Sequence, residues 1–173
     1  MRKLKLFLSL LMLFTFSVGS VWGYTITFKD NGTSSDSSTK RTTIDDIISD
    51  GASYVQSLSN VSNVYNARSG RGLKLGAKSS TGGLTLNLKE AVTVTSIVVR
   101  AMRYSESETT LKIQNKTDYT LTAALDDYTY TYSSPTSISS ITIGSTSKRN
   151  YIVSVTVNTG SAEPTVFLAS VLV

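Results

Sequence analysis

From Leu73 to Asn158 the chain is a succession of short segments in which apolar and polar residues alternate. Successive side chains of a β-strand point to opposite faces of the sheet, so alternation with period two is the pattern of a half-buried strand. Turn residues such as Gly, Ser and Asn separate the segments. Many short strands with turn signals between them are typical of a sandwich. The pattern therefore predicts an all-β fold, an antiparallel β-sandwich or jelly roll, and not an alternating α/β fold.

One segment has a different period. In TIDDIISDG, Thr43 is followed three positions later by Asp46, three isoleucines share one helical face, and Gly51 follows. A capping residue before an apolar stripe and a glycine after it are the signals of a helix start and stop. One short helix is therefore expected near the N-terminus, after a first strand at 24–28 and a long polar loop.

Two strand predictions concern neighbours in the sheet. LKL (73–75) and LTLNL (84–88) flank the glycine-containing GAKSSTGG, which predicts that these two strands form a hairpin. VTSIVVRAMRY (94–104) is long and largely apolar, which suits a central strand.

The chain divides into three parts. Residues 1–23 combine basic residues, an apolar run and small residues, which predicts a secretory signal peptide cleaved after Gly23, with cleavage after Ser20 as the alternative. Residues 24–159 form the predicted sandwich domain. Residues 160–173 form the third part. The linker-like TGSAEP, which begins at Thr159, leads into TVFLASVLV, which is predicted to be the start of a further module or else a last strand of the sandwich. Both apolar runs are shorter than a membrane span, so a secreted or cell-surface protein with no span after cleavage is expected.

The charge balance depends on the signal peptide. The chain has 17 basic and 12 acidic residues, but three of the basic ones, Arg2, Lys3 and Lys5, lie in the predicted signal. The remainder has 14 against 12, a net charge of +2 instead of +5. The high isoelectric point is thus a property of the leader, and no specific nucleic-acid binding is expected.

The composition excludes several kinds of chemistry. The chain has no Cys and no His, so disulfides, thiol nucleophiles, imidazole bases and histidine metal ligands are absent. A secreted domain of this length without disulfides depends on its hydrophobic core for stability. The composition therefore favours a protein that is not an enzyme and has no cofactor.

The segment YTYTY places Tyr128, Tyr130 and Tyr132 on one face of a strand and threonines on the other. These rings are either a stacking surface for sugars or part of the core. The core is favoured, because burying the threonines instead would leave the larger aromatic area in water. Tyr130 is expected largely inside the sandwich, against Val153 and Val155 or Ile141 and Ile143, so that Tyr130→Ala costs about 3 kcal/mol.

Ligand-binding candidates come from basic and aromatic residues next to turns. Arg68 and Arg71, with Lys74 and Lys78 nearby, form one basic group, and Lys148 with Arg149 form another. If both groups lie at one end of the sandwich, they can bind an anionic polymer such as an acidic polysaccharide. Tyr65 and Tyr104 are the candidates for exposed aromatic contacts. The predicted ligand-binding residues are Tyr65, Arg68, Arg71, Tyr104, Lys148 and Arg149.

Acidic residues suggest two further interpretations. The loop DNGTSSD offers Asp30 and Asp36 as oxygen ligands for calcium, although its spacing does not match an EF-hand. A two-carboxylate glycosidase would need a facing pair among Asp30, Asp36, Glu106, Glu108, Asp126 and Asp127. Solvated surface carboxylates explain the same residues without either function.

The stretches SGRGLKLGAKSSTGGLTLNL and ITIGSTSKRNYIVSVTV resemble secreted β-sandwich modules of Bacteroidales-type bacteria, which are jelly rolls like carbohydrate-binding modules. The resemblance covers 24–158 and implies a non-catalytic accessory or adhesion module that binds a glycan or cell-surface polymer through its loops. It brings no mapped ligand site. The alternatives are a structural spacer in a larger surface protein and, from the carboxylates, a glycosidase.

Overall fold

In the computed structural model of the chain, which describes residues 23–116 and 118–160, the described residues form an antiparallel β-sandwich of the jelly-roll kind. Every strand pair in these ranges is antiparallel. The strands are β1 (Gly23–Phe28), β2 (Ile48–Asp50), β3 (Val55–Ser62), β4 (Val64–Asn66), β5 (Leu73–Leu75), β6 (Gly83–Arg103), β7 (Thr110–Ile113), β8 (Asp118–Thr120), β9 (Asp126–Gly144) and β10 (Asn150–Thr159). The predicted fold class is confirmed.

The predicted short helix is also present, as α1 (Ile44–Ile47). The Thr43 hydroxyl accepts a hydrogen bond from the Asp46 amide at 3.2 Å and donates one to the Asp46 carboxylate at 2.8 Å. These bonds satisfy an amide that the first helical turn leaves without a partner. Strand β2 follows α1 directly, and a 3₁₀ turn, Ala52–Tyr54, follows β2.

Strands β6 and β9 are the longest, at 21 and 19 residues, and they pair along most of their length. The first half of β6 also pairs with β3, and the second half pairs with β10. The register shifts between Asn87 and Val92, and such irregularities bend a strand and increase its twist. The segments 84–88 and 94–103 therefore belong to one strand, which has a partner on both sides as predicted for a central strand, and Tyr104 lies just beyond its end.

The predicted hairpin between 73–75 and 84–88 is wrong. Strand β5 pairs with β4 and β10, whereas the first half of β6 pairs with β3 and β9. The connection contains a tight turn closed by two backbone hydrogen bonds between Ala77 and Ser80, of 2.8 and 3.2 Å. Strands β3 and β4 were not predicted, because their polar residues hide the period-two pattern. Alternation identifies the buried face of a strand and does not identify its partner.

The tyrosines of β9 face the core, as predicted. Tyr128 is opposite Val99 and Tyr130 is opposite Ile97, and both partners are fully buried. The hydroxyl oxygens of Tyr128 and Tyr132 accept hydrogen bonds, the second from Gln114 Nε2 at 2.9 Å. The Thr122 amide donates to the Tyr128 oxygen at 2.9 Å.

Tyr130 packs against the core, as predicted, but it is not fully buried. The three rings pack against the core but are only partly buried, because the first half of β9 has β6 on one side and no continuous strand on the other among the described residues. The row across the sheet from Tyr130 runs through Ile97 to Val157, instead of to Val153 and Val155.

Tyr130→Ala is therefore expected to lower the free energy of unfolding by about 2 kcal/mol, less than the roughly 3–5 kcal/mol for a fully buried aromatic ring, because Tyr130 is only partly buried. Urea denaturation followed by circular dichroism measures this change. Thr131→Ala, on the exposed face of the same strand, is the control and should cost less than about 1 kcal/mol. Equal losses in the two variants would contradict the core-facing orientation.

Residues 1–22 and 161–173 lie outside the described residues, and so do most of the predicted signal peptide and the C-terminal extension. Strand β1 begins at Gly23, which pairs with Asn158, and β10 ends at Thr159. In the described part of the chain, no helix is long and apolar enough to cross a membrane. The three-part division and the secreted location stay predictions.

Candidate functional site

A row of residues across four strands forms the base of the candidate site. Tyr65 of β4 is opposite Lys74 of β5, Lys74 is opposite Tyr151 of β10, and Tyr151 is opposite Met102 of β6. Residues opposite one another on neighbouring strands share a face of the sheet. The neighbours of Lys74 on its own strand, such as Leu73, are fully buried on the core side, so the row lies on the outer face.

Loops add arginines to this row. Arg68 and Arg71, between β4 and β5, place their guanidinium carbons 5.6 and 4.9 Å from the centre of the Tyr151 ring. Tyr104, after β6, has its ring centre 5.2 Å from that of Tyr151, and the Arg149 guanidinium lies 3.8 Å from the Tyr104 ring centre. These separations fall within the range of cation–π attraction. We call this group the arginine–tyrosine cluster; its members are Tyr65, Arg68, Arg71, Lys74, Tyr104, Arg149 and Tyr151, with the carboxylates of Asp36 and Glu108.

Two glycines allow the loops to come this close. Gly72 and Gly76 flank β5, with φ of 59° and 94°. A Cβ atom at Gly72 would overlap the Ile152 carbonyl, and one at Gly76 would overlap the Lys148 carbonyl. Both the backbone conformation and the lack of space require glycine. Gly72 thus lets the Arg68 loop approach β10, and Gly76 lets the segment after β5 approach the turn that carries Arg149.

Asp36 anchors the first half of the cluster from the long polar loop. It accepts hydrogen bonds from the Arg68 amide at 2.9 Å and from the Tyr151 hydroxyl at 3.1 Å. The Arg68 Nη2 donates to the Tyr151 oxygen at 2.8 Å, and the Lys74 Nζ lies 3.6 Å from the Asp36 carboxylate. The fully buried Tyr151 is therefore held by both a cation and an anion.

Burial raises the pKa of Tyr151 above its usual value of 10.0, an effect that the hydrogen bond from Arg68 partly offsets. A pKa raised in the folded state means that folding favours the neutral phenol. The corresponding stability is present below pH 10 and is lost as the pH rises through the raised pKa. At neutral pH Tyr151 is thus a phenol that donates to Asp36.

Glu108 anchors the second half. Its two carboxylate oxygens accept hydrogen bonds from Arg149 Nε at 2.7 Å and Nη2 at 2.9 Å. This paired geometry is the strongest form of an arginine–carboxylate contact. Glu108 is buried, and its two hydrogen bonds hold the guanidinium of Arg149 over the Tyr104 ring.

The cluster presents mainly cations to the solvent, and its partly exposed ring, that of Tyr104, has the Arg149 guanidinium over it. Tyr151 is fully buried and Tyr65 is 9% exposed, whereas the Arg68 side chain is 41% exposed. Four cations face two carboxylates, which leaves a formal excess of two positive charges. Arg71 makes no ion pair with any residue that the structure describes. The arrangement suits an anion and leaves little ring face for a sugar.

The structure brings together five of the six predicted ligand-binding residues, namely Tyr65, Arg68, Arg71, Tyr104 and Arg149. The expectation that Tyr65 offers an exposed ring is wrong, because the Lys74 ammonium lies 4.7 Å from its centre and the residue is 9% exposed. Lys148 is exposed in the turn before Arg149, and its side chain makes no hydrogen bond or ion pair with a residue that the structure describes. Lys78 is exposed in the Ala77–Ser80 turn and is not a member either.

Sequence reasoning missed Tyr151 and the anchoring role of Asp36. Tyr151 begins the alternating segment YIVSVTVN, which predicted only a strand. Asp36 is 115 residues away from it in the chain, so only the fold brings the two together. The only local hint in the sequence was that Arg149 and Tyr151 are close together in KRNY. That short segment could not show that arginines of a distant loop, Arg68 and Arg71, lie over the Tyr151 ring.

The carboxylates proposed for catalysis or calcium already bind groups of the protein. Asp30 accepts from the Gly32 and Gly70 amides at 2.8 and 2.6 Å, and Asp127 pairs with Arg100 at 3.0 Å. Within residues 23–116 and 118–160 no group of three or more acidic residues is placed to hold a metal ion. Calcium binding stays a prediction.

Comparisons with known proteins add a distant likeness. No protein-family model matches the chain, and no curated protein matches it. Among solved structures, one described as "Carbohydrate binding module family29" is similar, with 13% identity, a TM-score of 0.46, and coverage of 81% of this chain and 91% of that chain. A likeness at this level does not show a shared site, so only the residues of the cluster bear on function.

Proposed function

We propose that the domain is a secreted, non-catalytic module that binds an anionic polysaccharide at the arginine–tyrosine cluster. The observation that supports this most is the position of Arg71, whose guanidinium lies over the Tyr151 ring without a carboxylate partner among the described residues. Arginine binds carboxylate and sulfate groups through paired N–H donors, and such groups are what acidic polysaccharides carry.

The ring contacts favour binding by holding the cations in place. A free arginine side chain loses roughly 1.5–2 kcal/mol of conformational entropy when it is ordered. In the cluster, Arg149 is already fixed by Glu108 and Tyr104, and Arg68 by Tyr151 and Asp36. A polymer that meets these groups therefore gains charge-assisted hydrogen bonds without paying the full ordering cost.

Arg71→Ala is expected to weaken binding to polygalacturonate or chondroitin sulfate by about tenfold or more, because a hydrogen bond to a charged group contributes roughly 1.5–3 kcal/mol. Affinity electrophoresis or calorimetry measures the change, and binding of the unmodified protein should weaken as NaCl is raised. Lys78→Ala is the matched control, because it removes the same charge from an exposed turn outside the cluster.

Two outcomes would argue against this function. If Lys78→Ala weakened binding as much as Arg71→Ala, the polymer would be responding to overall charge and not to the cluster. If the folded protein were retained on neither polysaccharide, the spacer function in a larger surface protein would take its place.

A glycosidase is less compatible with the geometry. The side chains of Asp36 and Glu108 are enclosed, at 11% and 5% exposed, and both are held in ion pairs with cationic side chains. Neither is left to protonate a leaving group or attack a sugar carbon. Release of reducing sugar ends from either polysaccharide by the purified protein would overturn the non-catalytic proposal.

A further inference from the structure

A cavity of about 470 Å³ lies away from the cluster, at the opposite end of strand β10. The cluster residue Tyr151 and the cavity residue Thr159 are eight positions apart on this strand, which corresponds to about 27 Å. The cavity is thus a separate feature of the molecule. Among its lining residues are Tyr24, Ser53, Tyr54, Lys89, Glu90 and Thr159.

Two stacked tyrosines form one wall. The rings of Tyr24 and Tyr54 have centres 4.1 Å apart and planes at 17° to each other. Tyr24 packs against the hydrophobic core, whereas Tyr54 is 45% exposed and is the exposed large hydrophobic residue of the described chain. The partly buried Tyr24 ring therefore supports the exposed one, and no cationic side chain of the described residues lies over the Tyr54 ring.

The fold holds this pair in a defined position. Tyr24 is opposite the fully buried Val157 on β10. Gly51, with φ of 79°, begins the 3₁₀ turn that carries Tyr54, and a Cβ there would overlap the Thr25 carbonyl of β1. The turn is therefore pressed against β1. The opposite wall, with Lys89 and Glu90, comes from the irregular part of β6.

The charges of the cavity differ from those of the cluster. One lysine and one glutamate line it, so its formal charge is zero. Their side chains and the hydroxyls of Ser53 and Thr159 offer both donors and acceptors around an aromatic surface. A ligand that suits these groups has a flat apolar face, many hydroxyl groups and no net charge.

We propose that this cavity is a second binding site, which takes one or two neutral sugar rings stacked on Tyr54. Its volume lies within the roughly 300–1,000 Å³ of small-molecule sites, and an aromatic wall with a few polar groups is the usual composition of such sites. The apolar C–H face of a pyranose ring packs on Tyr54, while the polar side chains hydrogen-bond the sugar hydroxyls. This proposal does not depend on the function of the cluster.

Titration of the purified protein with cellohexaose, xylohexaose and mannohexaose tests the site. At least one of them should shift the NMR ring signals of Tyr24 and Tyr54 and bind measurably by calorimetry. Tyr54→Ala should weaken that binding by about tenfold, equivalent to roughly 1.4 kcal/mol of lost contact. Tyr54→Phe keeps the stacking face and should stay within about twofold of the parent. Because Tyr54 is largely exposed, the melting temperature of both variants should change little.

The cavity and the arginine–tyrosine cluster can be distinguished by how ligand binding at each responds to salt and to Arg71→Ala. Binding at the cavity should be unchanged by added NaCl and by Arg71→Ala, whereas binding of an anionic polysaccharide should fall with both. The cavity proposal is overturned if none of the three oligosaccharides shifts the Tyr24 and Tyr54 signals. It is also overturned if Tyr54→Ala binds as the parent does, or if only charged sugars bind there.

Discussion

Tyr151→Ala is expected to lower the free energy of unfolding by about 3–5 kcal/mol, the range for removing a fully buried aromatic ring. Tyr151 has no exposed surface. Its ring packs against that of Tyr104, and the guanidinium groups of Arg68 and Arg71 lie over it. Replacing Tyr151 by alanine therefore removes this packing and both cation–π contacts. Urea denaturation followed by circular dichroism measures the loss.

Tyr151→Phe separates packing from hydrogen bonding in this prediction. It keeps the ring and removes the hydroxyl that donates to Asp36 and accepts from Arg68. Its cost should be about 1–3 kcal/mol, because the partners of the hydroxyl are charged. A Tyr151→Ala protein with an unchanged melting temperature would contradict the buried position of the ring and, with it, the geometry of the whole cluster.

Glu108→Ala is expected to lower the free energy of unfolding by about 3 kcal/mol, because removing one partner of a buried ion pair leaves the other charge uncompensated. The Glu108 side chain is 5% exposed and that of Arg149 is 21% exposed. The loss should therefore be at the lower end of the range for buried pairs. Binding at the cluster should weaken as well, since Arg149 is no longer held over Tyr104.

Glu106→Ala is the matched control for this change. The Glu106 side chain is 93% exposed, and its ion pair with Arg103 is long, at 3.9 Å. Its removal should therefore alter stability by less than about 0.5 kcal/mol. A double-mutant cycle with Arg149→Ala should show a coupling of about 0.5–3 kcal/mol between Glu108 and Arg149. Additive effects of the two substitutions would contradict the paired geometry.

Features that depend on contacts between residues close together in the chain were predictable from the sequence. The alternation in YTYTY predicted which face of β9 lies toward the core, because successive side chains of any strand point to opposite faces. The cap of α1 was also predictable, because Thr43 and Asp46 are three residues apart and interact within a single helical turn. Two basic groups were also recognisable, and most of their members lie in the arginine–tyrosine cluster.

Only the tertiary structure decided which segments become neighbours. Period two does not identify the partner of a strand, so β5 pairs with β4 and β10 although β6 follows it in the chain. The depth of Tyr130 depends on which strands lie beside the first half of β9, and the pairing of Asp36 with Tyr151 joins residues 115 positions apart. The sequence by itself determined the class of fold and the faces of its strands, because these depend on local alternation. The contacts of Tyr151 and the stacking of Tyr54 on Tyr24 depend on long-range register and on turns pressed against other strands, which no local pattern contains.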